Sequence, residues 1–435
     1  MGTTQSTCSL GRSNNPPAPF SHMTLSVGGS APTYLVQDGY DADKLAGLKF
    51  GIDVIRSFLG SVEASTVVAM ETGGSAGDYA TVTKECSALT HENAPGFFHD
   101  PCPGAAEKAE KEPHGGFWVS PVSACYKGCH TKFTAPVFSV SSPSTSKREL
   151  AERAIHEYTH VVQAAFGEPV PAWTLEGGAV LMECLMTSRL AASGQFDQGE
   201  ATFSDCMTNG GGRGGVVKNL RKLYQKDLSI KWLSDFGTDW GTTEDPPPAG
   251  VPPGLEPGPE DSWIYYDTGA YAMAFAIIKA NEKHTMSGGR TFVDMWQSQG
   301  TKGFWHAIEP VESDPVTGWP SMVKEGTGWK KALAEFTGYG TAADFFAAFE
   351  DHVAPNGVLK SEAELLAFLN ASSLTNAKVN ELNMKAASFA DFKKRVPKTQ
   401  CGAGLGRHEN GGYRGRAMVW AAVAAACAAV SIVWG

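Results

Sequence analysis

The chain has 435 residues, of which 42% are hydrophobic and 19% charged, a balance that suits a folded protein with a real core and excludes a disordered chain. That length accommodates two or three domains or one large catalytic unit. The formal charge is −10 and the isoelectric point about 5.6, and no basic patch with interleaved aromatics occurs, which argues against nucleic acid as a partner.

Residues 1–32 form a polar run containing Pro and Ser, without the apolar stretch of a secretory signal, and are expected to be disordered. Met1-Gly2-Thr3-Thr4-Gln5-Ser6 fits the pattern for myristoylation of Gly2, and Cys8 beside it is a candidate for a second acyl chain. An unmodified start is the competing reading. Further on, Leu45, Leu48, Ile52, Ile55 and Leu59 recur at helical spacing, which predicts a helix over 41–60. The run 62–70 (VEASTVVAM) reads as a buried strand. Residues 71–135 mix Gly, Pro, Cys and charge, and are expected to be long loops around short strands. Within them Cys86, Cys102, Cys125 and Cys129 are candidates for disulfides in an oxidising compartment. Cys125-x3-Cys129-His130 also has the form of half a zinc knuckle, although no second ligand pair follows at the right spacing. A strand is expected over 135–143.

The next helix is expected to start near Lys147, capped by Thr145 or Ser146, and to run through His160. It carries His156-Glu157-Tyr158-Thr159-His160. Two histidines four residues apart lie one turn apart on one helix face, where both imidazoles can reach one ion. Glu157 follows the first of them and faces the ion's open position, where a carboxylate can take a proton from a water acidified by zinc. The alternative is a surface turn with two satisfied histidines. It fits poorly, because Ala154, Ile155, Tyr158, Val161 and Val162 give the segment a core face.

Pro169 and Pro171 end that helix, and a second one is expected from about Leu175 to Leu190. Glu176, 16 residues after His160, is positioned to be a third ligand, leaving one coordination site for water. Glu183 is two turns further on nearly the same face. It is either a hydrogen-bond acceptor for a ligand imidazole or an ordinary solvated residue. Residues 243–262 are too rich in proline for a packed element. Beyond them TGAYAMAFAIIKANEK, GWKKALAEFTGYG, TAADFFAAFEDHV and SEAELLAFLNAS all read as helices.

HEYTH followed by P-x-W-x-x-E-G-G-A resembles the gluzincin branch of zinc metallopeptidases, the thermolysin- and aminopeptidase-like group. The resemblance spans roughly 41–355 and is specific at 155–183 and about 262–275. It implies an α+β, zincin-like fold with a mixed α/β N-terminal lobe and a helical C-terminal lobe. It also implies one Zn2+ held by His156, His160 and Glu176, with Glu157 as general base. WIYYDTGAYA is similar to the Y-x-x-G helix start of aminopeptidases, which implies an oxyanion-stabilising role for Tyr266; Tyr265 and Tyr271 are rivals, and a packed core aromatic is the alternative. Gln163 and Phe166 stand where the metzincin branch has its Gly and third His. The implied activity is zinc-dependent hydrolysis of a peptide or protein substrate. The alternatives are a silent zincin-fold scaffold protein anchored to a membrane, and a zinc hydrolase acting on non-peptide bonds.

The expected partition is a disordered 1–32, a catalytic lobe 33–242, a Pro-rich loop 243–262, a helical lobe 263–397, a Gly-rich linker 398–416 and a hydrophobic tail 417–434. The tail carries no charge over 18 residues, about 27 Å as a helix, enough to span a thin hydrocarbon core. A transmembrane anchor is therefore expected. Arg407, Arg414 and Arg416 before it favour a cytoplasmic-facing catalytic part. The cysteine cluster and the Asn370-Ala371-Ser372 sequon keep a lumenal or GPI-linked form open.

Overall fold

The computed structural model describes residues 25–26, 31–59, 61–62, 65–93, 100–120, 122–123, 133–134, 136–166, 172–192, 203–209, 215–225, 264–285, 330, 333–334 and 337–371. Gly2, Cys8, Cys125, Cys129, the proline-rich loop, the linker and the hydrophobic tail lie outside the described residues. No described helix is long and apolar enough to cross a membrane.

In chain order the described strands are β1 (Leu25–Ser26), β2 (Thr33–Val36), β3 (Ser61–Val62), β4 (Thr66–Glu71), β5 (Gly116–Val119), β6 (Val122–Ser123), β7 (Phe133–Thr134) and β8 (Val137–Ser141). Helices α1 (Ala42–Leu59), α2 (Ala76–Asn93) and α3 (Pro101–Lys111) fall between strands, and α4 (Lys147–Phe166) and α5 (Ala172–Ala192) follow them. Then come α6 (Phe203–Asn209), α7 (Val216–Gln225), a π-helical turn at Ile264–Thr268, α8 (Gly269–Thr285), α9 (Ala342–Val353) and α10 (Glu362–Ala371). The architecture is mixed α+β, with one four-stranded sheet and a predominantly helical remainder.

The sheet has the order β2-β4-β8-β5, the first three strands parallel and β5 antiparallel at the edge. Successive side chains of β4 face opposite ways, as strand geometry requires. Val67 and Ala69 pack with α1 and α4, through Leu48, Ile52, Ile55, Leu150 and Ile155. Val68 and Met70 pack with α2 and α3, through Tyr79, Val82, Cys86 and Ala105. Helices on both faces explain why β4 reads as an unbroken apolar run rather than an alternating one.

The expected helix over 41–60 and strand over 135–143 are present with slightly different ends, whereas the run 62–70 read as one strand holds the end of β3 and most of β4, which belong to different sheets. The expectation of long loops around short strands in 71–135 was wrong for 76–93 and 101–111, which are helices α2 and α3. Their apolar stripe is narrow: Tyr79, Val82 and Cys86 are the large buried apolar residues of α2, with the polar Thr90 buried beside them. Such a helix is stabilised by docking on the sheet more than by its own composition. Asp100 caps α3 by accepting from the Cys102 N–H at 3.0 Å, and Pro101 occupies the first turn, so the helix start was written in the sequence. A Cys86–Cys102 disulfide joins α2 to α3, and a Cys184–Cys206 disulfide joins α5 to α6.

The C-terminal helices close over α8. Tyr271, fully buried on α8, donates its hydroxyl to the Leu365 carbonyl at 3.1 Å and lies 3.0 Å from His352 Nε2. The His352 ring packs on Phe368 and Phe275, with centroids 4.1 and 5.1 Å away. Burial, with Lys360 and Lys279 nearby, pulls this imidazole down to about 4. The unfolded chain takes up that proton near pH 6.5, and the folded chain only near the lower value. Stability therefore falls as pH drops through that window and is restored above it. The expected result is a Tm that declines between pH 6.5 and 4, with the slope reduced in His352→Phe; an identical slope in both proteins would exclude His352 as the cause.

Candidate metal centre

Helix α4 forms for local reasons. Ser146 Oγ accepts from the Glu149 N–H at 3.1 Å, which caps the first turn. The pairs Arg148–Glu152 and Glu149–Arg153, at 2.9 and 2.7 Å, lie four residues apart along it. Its apolar face, Leu150, Ala154, Ile155, Tyr158, Val161 and Val162, is buried. One polar edge remains, and it turns His156 and His160 toward α5.

Three side chains converge there. His156 Nε2 lies 3.5 Å from Glu176 Oε2, and His160 Nε2 lies 3.4 Å from the same oxygen. The donor atoms of His156, His160 and Glu176 all lie within 4.8 Å of one another. Zinc bonds of about 2.0–2.1 Å imply tetrahedron edges of about 3.3–3.4 Å, so the two measured separations match the donor spacing of a tetrahedral zinc site. The chemistry of the set, two imidazoles and a carboxylate, also suits zinc.

The neighbouring groups orient both rings. His156 Nδ1 is 3.2 Å from Glu183 Oε2, so Glu183 is placed within hydrogen-bond distance of the His156 ring. His160 Nδ1 is 2.6 Å from Gln163 Oε1. Each ring therefore turns its Nε2 inward. Burial disfavours charge on every member of the group. For His156 the hydrogen bonds to Glu176 and Glu183 outweigh it and raise the imidazole. For His160 the Glu176 carboxylate outweighs it and pushes the ring up to about 9. Burial raises Glu176 too, but the two imidazoles dominate and hold it below the usual carboxylate range. Glu157, 8% exposed, is raised by burial, which the two histidines only partly counter.

Helix α5 starts at Ala172, three residues before the expected position. Trp173 in its first turn is fully buried and meets the Phe346 ring at 5.9 Å, which ties the start of α5 to α9. Gly177, directly after Glu176, crosses the backbone of Gly269: a Cβ at Gly177 would collide with the Gly269 carbonyl carbon, and one at Gly269 with the Trp173 carbonyl oxygen. This close crossing places the turn at 264–268 against the site. Within it the Tyr266 ring lies nearly parallel to that of His156, at a 19° interplanar angle and a 6.3 Å centroid distance. Asp267, next to Tyr266, is fully buried and accepts a short hydrogen bond from Asn219 of α7. The rival Tyr271 is turned into the core toward Leu365 and His352, and the side chain of Tyr265 is outside the described residues.

The structure thus gathers all six sequence-predicted residues of this region: His156, Glu157, His160, Glu176, Glu183 and Tyr266. Sequence reasoning did not find Gln163 or the Asn219–Asp267 pair. The signal for Gln163 was its position three residues after His160, on the same face of α4. Nothing in the spacing pointed to Asn219, which acts across helices. Comparisons with protein-family models, curated proteins and solved structures found no match to this chain.

Proposed function

We propose that the protein is a zinc-dependent peptidase with a zincin-like fold, related in plan to the gluzincins. The observation that carries the reading is the convergence of His156 Nε2 and His160 Nε2 on one oxygen of Glu176, with the buried Glu157 beside them. A zinc ion held by those three residues would supply a Lewis acid for the scissile carbonyl and acidify a water molecule. Glu157 accepts the proton of the attacking water and returns it to the departing amine. Burial, which raises this carboxyl above the usual range, suits a group that must both take and give a proton. Tyr266 stands on the His156 side of the site and donates its hydroxyl to the developing oxyanion.

The test is cleavage of a peptide library by the purified protein, with and without a chelator. Chelator-sensitive cleavage restored by zinc is expected; a protein that takes up zinc but cleaves no peptide would favour the scaffold or non-peptide alternatives. Tyr266→Phe is expected to lower turnover about a hundred- to thousandfold with little change in zinc content. Unchanged turnover would remove Tyr266 from the chemistry.

We further propose that the catalytic part faces an oxidising compartment. The two disulfides among the described residues support that side over the cytoplasmic one suggested by the arginines before the tail. Membrane attachment through 417–434 remains part of the proposal.

A further inference from the structure

We infer that Gln163 is a positioning residue of the metal site: it selects the ring tautomer of His160 and ties that ligand to the backbone that delivers Glu176. The inference rests on the zinc reading above. Gln163 is 1% exposed and sits three residues after His160 on α4. Its Nε2 donates to the Leu175 carbonyl at 2.9 Å and approaches the Thr174 carbonyl at 3.4 Å. Carbonyl oxygens only accept, so the amide NH2 must face them, and this decides an orientation that an amide's shape alone leaves ambiguous. The amide oxygen is thereby turned to His160 Nδ1, 2.6 Å away, and only a protonated Nδ1 satisfies it. In the neutral ring, the form that binds a metal, a proton on Nδ1 leaves the lone pair on Nε2, the atom that faces Glu176.

One buried side chain thus connects the second ligand to the residues immediately before the third. His156 is oriented differently, by the carboxylate of Glu183 on α5. A glutamine that merely satisfied the start of α5 would influence stability alone. A positioning residue changes metal affinity independently of stability.

Full-length wild type, Gln163→Met, Gln163→Glu and Thr159→Val separate these roles. Methionine keeps the length but neither donates nor accepts at those positions. Glutamate keeps the acceptor for Nδ1–H and loses the donor to the carbonyls. Thr159, whose hydroxyl donates to the Ile155 carbonyl at 2.8 Å, is a buried polar control on the same helix. Zinc affinity is measured by competition with a chelating dye, Tm by unfolding of the metal-free protein, and site geometry by the visible spectrum of the cobalt-substituted protein.

Gln163→Met is expected to bind zinc about 10–100-fold more weakly and to alter the cobalt spectrum. Gln163→Glu should recover affinity while losing Tm, and Thr159→Val should lose Tm alone. Wild-type affinity in Gln163→Met, or an equal loss of affinity in Thr159→Val, would overturn the inference. If Gln163→Met does not fold, Gln163→Glu decides: near-wild-type affinity supports the role and weakened affinity refutes it. A wild-type protein that takes up no zinc would instead overturn the zinc reading itself, and this inference with it.

Discussion

Glu157→Gln is expected to retain zinc and to lower peptide turnover by about two to four orders of magnitude. Glu157 contributes no donor to the three-residue cluster, so its loss leaves metal affinity nearly intact. An amide has almost the shape of the carboxyl group but cannot accept the proton of the attacking water. Stability should hold or rise. Burial already disfavours the charged carboxylate, and the neutral amide removes that cost. The measurement is turnover per zinc-loaded molecule, beside the Tm of both proteins. A variant that is fully loaded, folded and as active as wild type would show that the base is another group.

His160→Ala and Glu176→Gln should each weaken zinc binding, for a reason separable from catalysis. Structural zinc sites bind with about 10–16 kcal/mol spread over four ligands, which puts roughly 3 kcal/mol, on the order of a hundredfold in affinity, on each. His156 with only one remaining partner is a poor site. In the metal-free protein His160 holds a proton up to about pH 9, so zinc uptake near neutral pH must displace it. Affinity should weaken as pH falls, and calorimetric titrations in buffers of different ionisation enthalpy should report proton release. Zinc content equal to wild type in His160→Ala would exclude the proposed ligand set. Proton-free uptake would show that His160 is not the group displaced.

Several features of this protein follow from local rules. The spacing of His156 and His160 puts them on one face because a helix repeats every 3.6 residues, and Ala154, Ile155, Tyr158, Val161 and Val162 make that helix form and dock. The same arithmetic places Glu183 two turns after Glu176, within reach of His156. Capping by Ser146 and the apolar run of β4 were legible for equally local reasons.

Other features depend on what arrives from far along the chain. Helices α2 and α3 were misread as loops because their narrow apolar stripe gains its stability from Val68, Met70 and Phe138 of the sheet, which composition within 71–135 cannot reveal. The closeness of α5 to the turn at 264–268 depends on two glycines, Gly177 and Gly269, nearly a hundred residues apart in sequence, whose missing side chains let the backbones touch. The pairing of Cys184 with Cys206 and of Asn219 with Asp267 likewise depends on how helices cross. Gln163 lies between the two cases. Its nearness to His160 is helical arithmetic, but its role depends on the Thr174 and Leu175 carbonyls, and only the docking of α5 on α4 brings those within reach. Local periodicity therefore determined which side chains point the same way, whereas tertiary packing, through steric fit between distant segments, decided which of them meet.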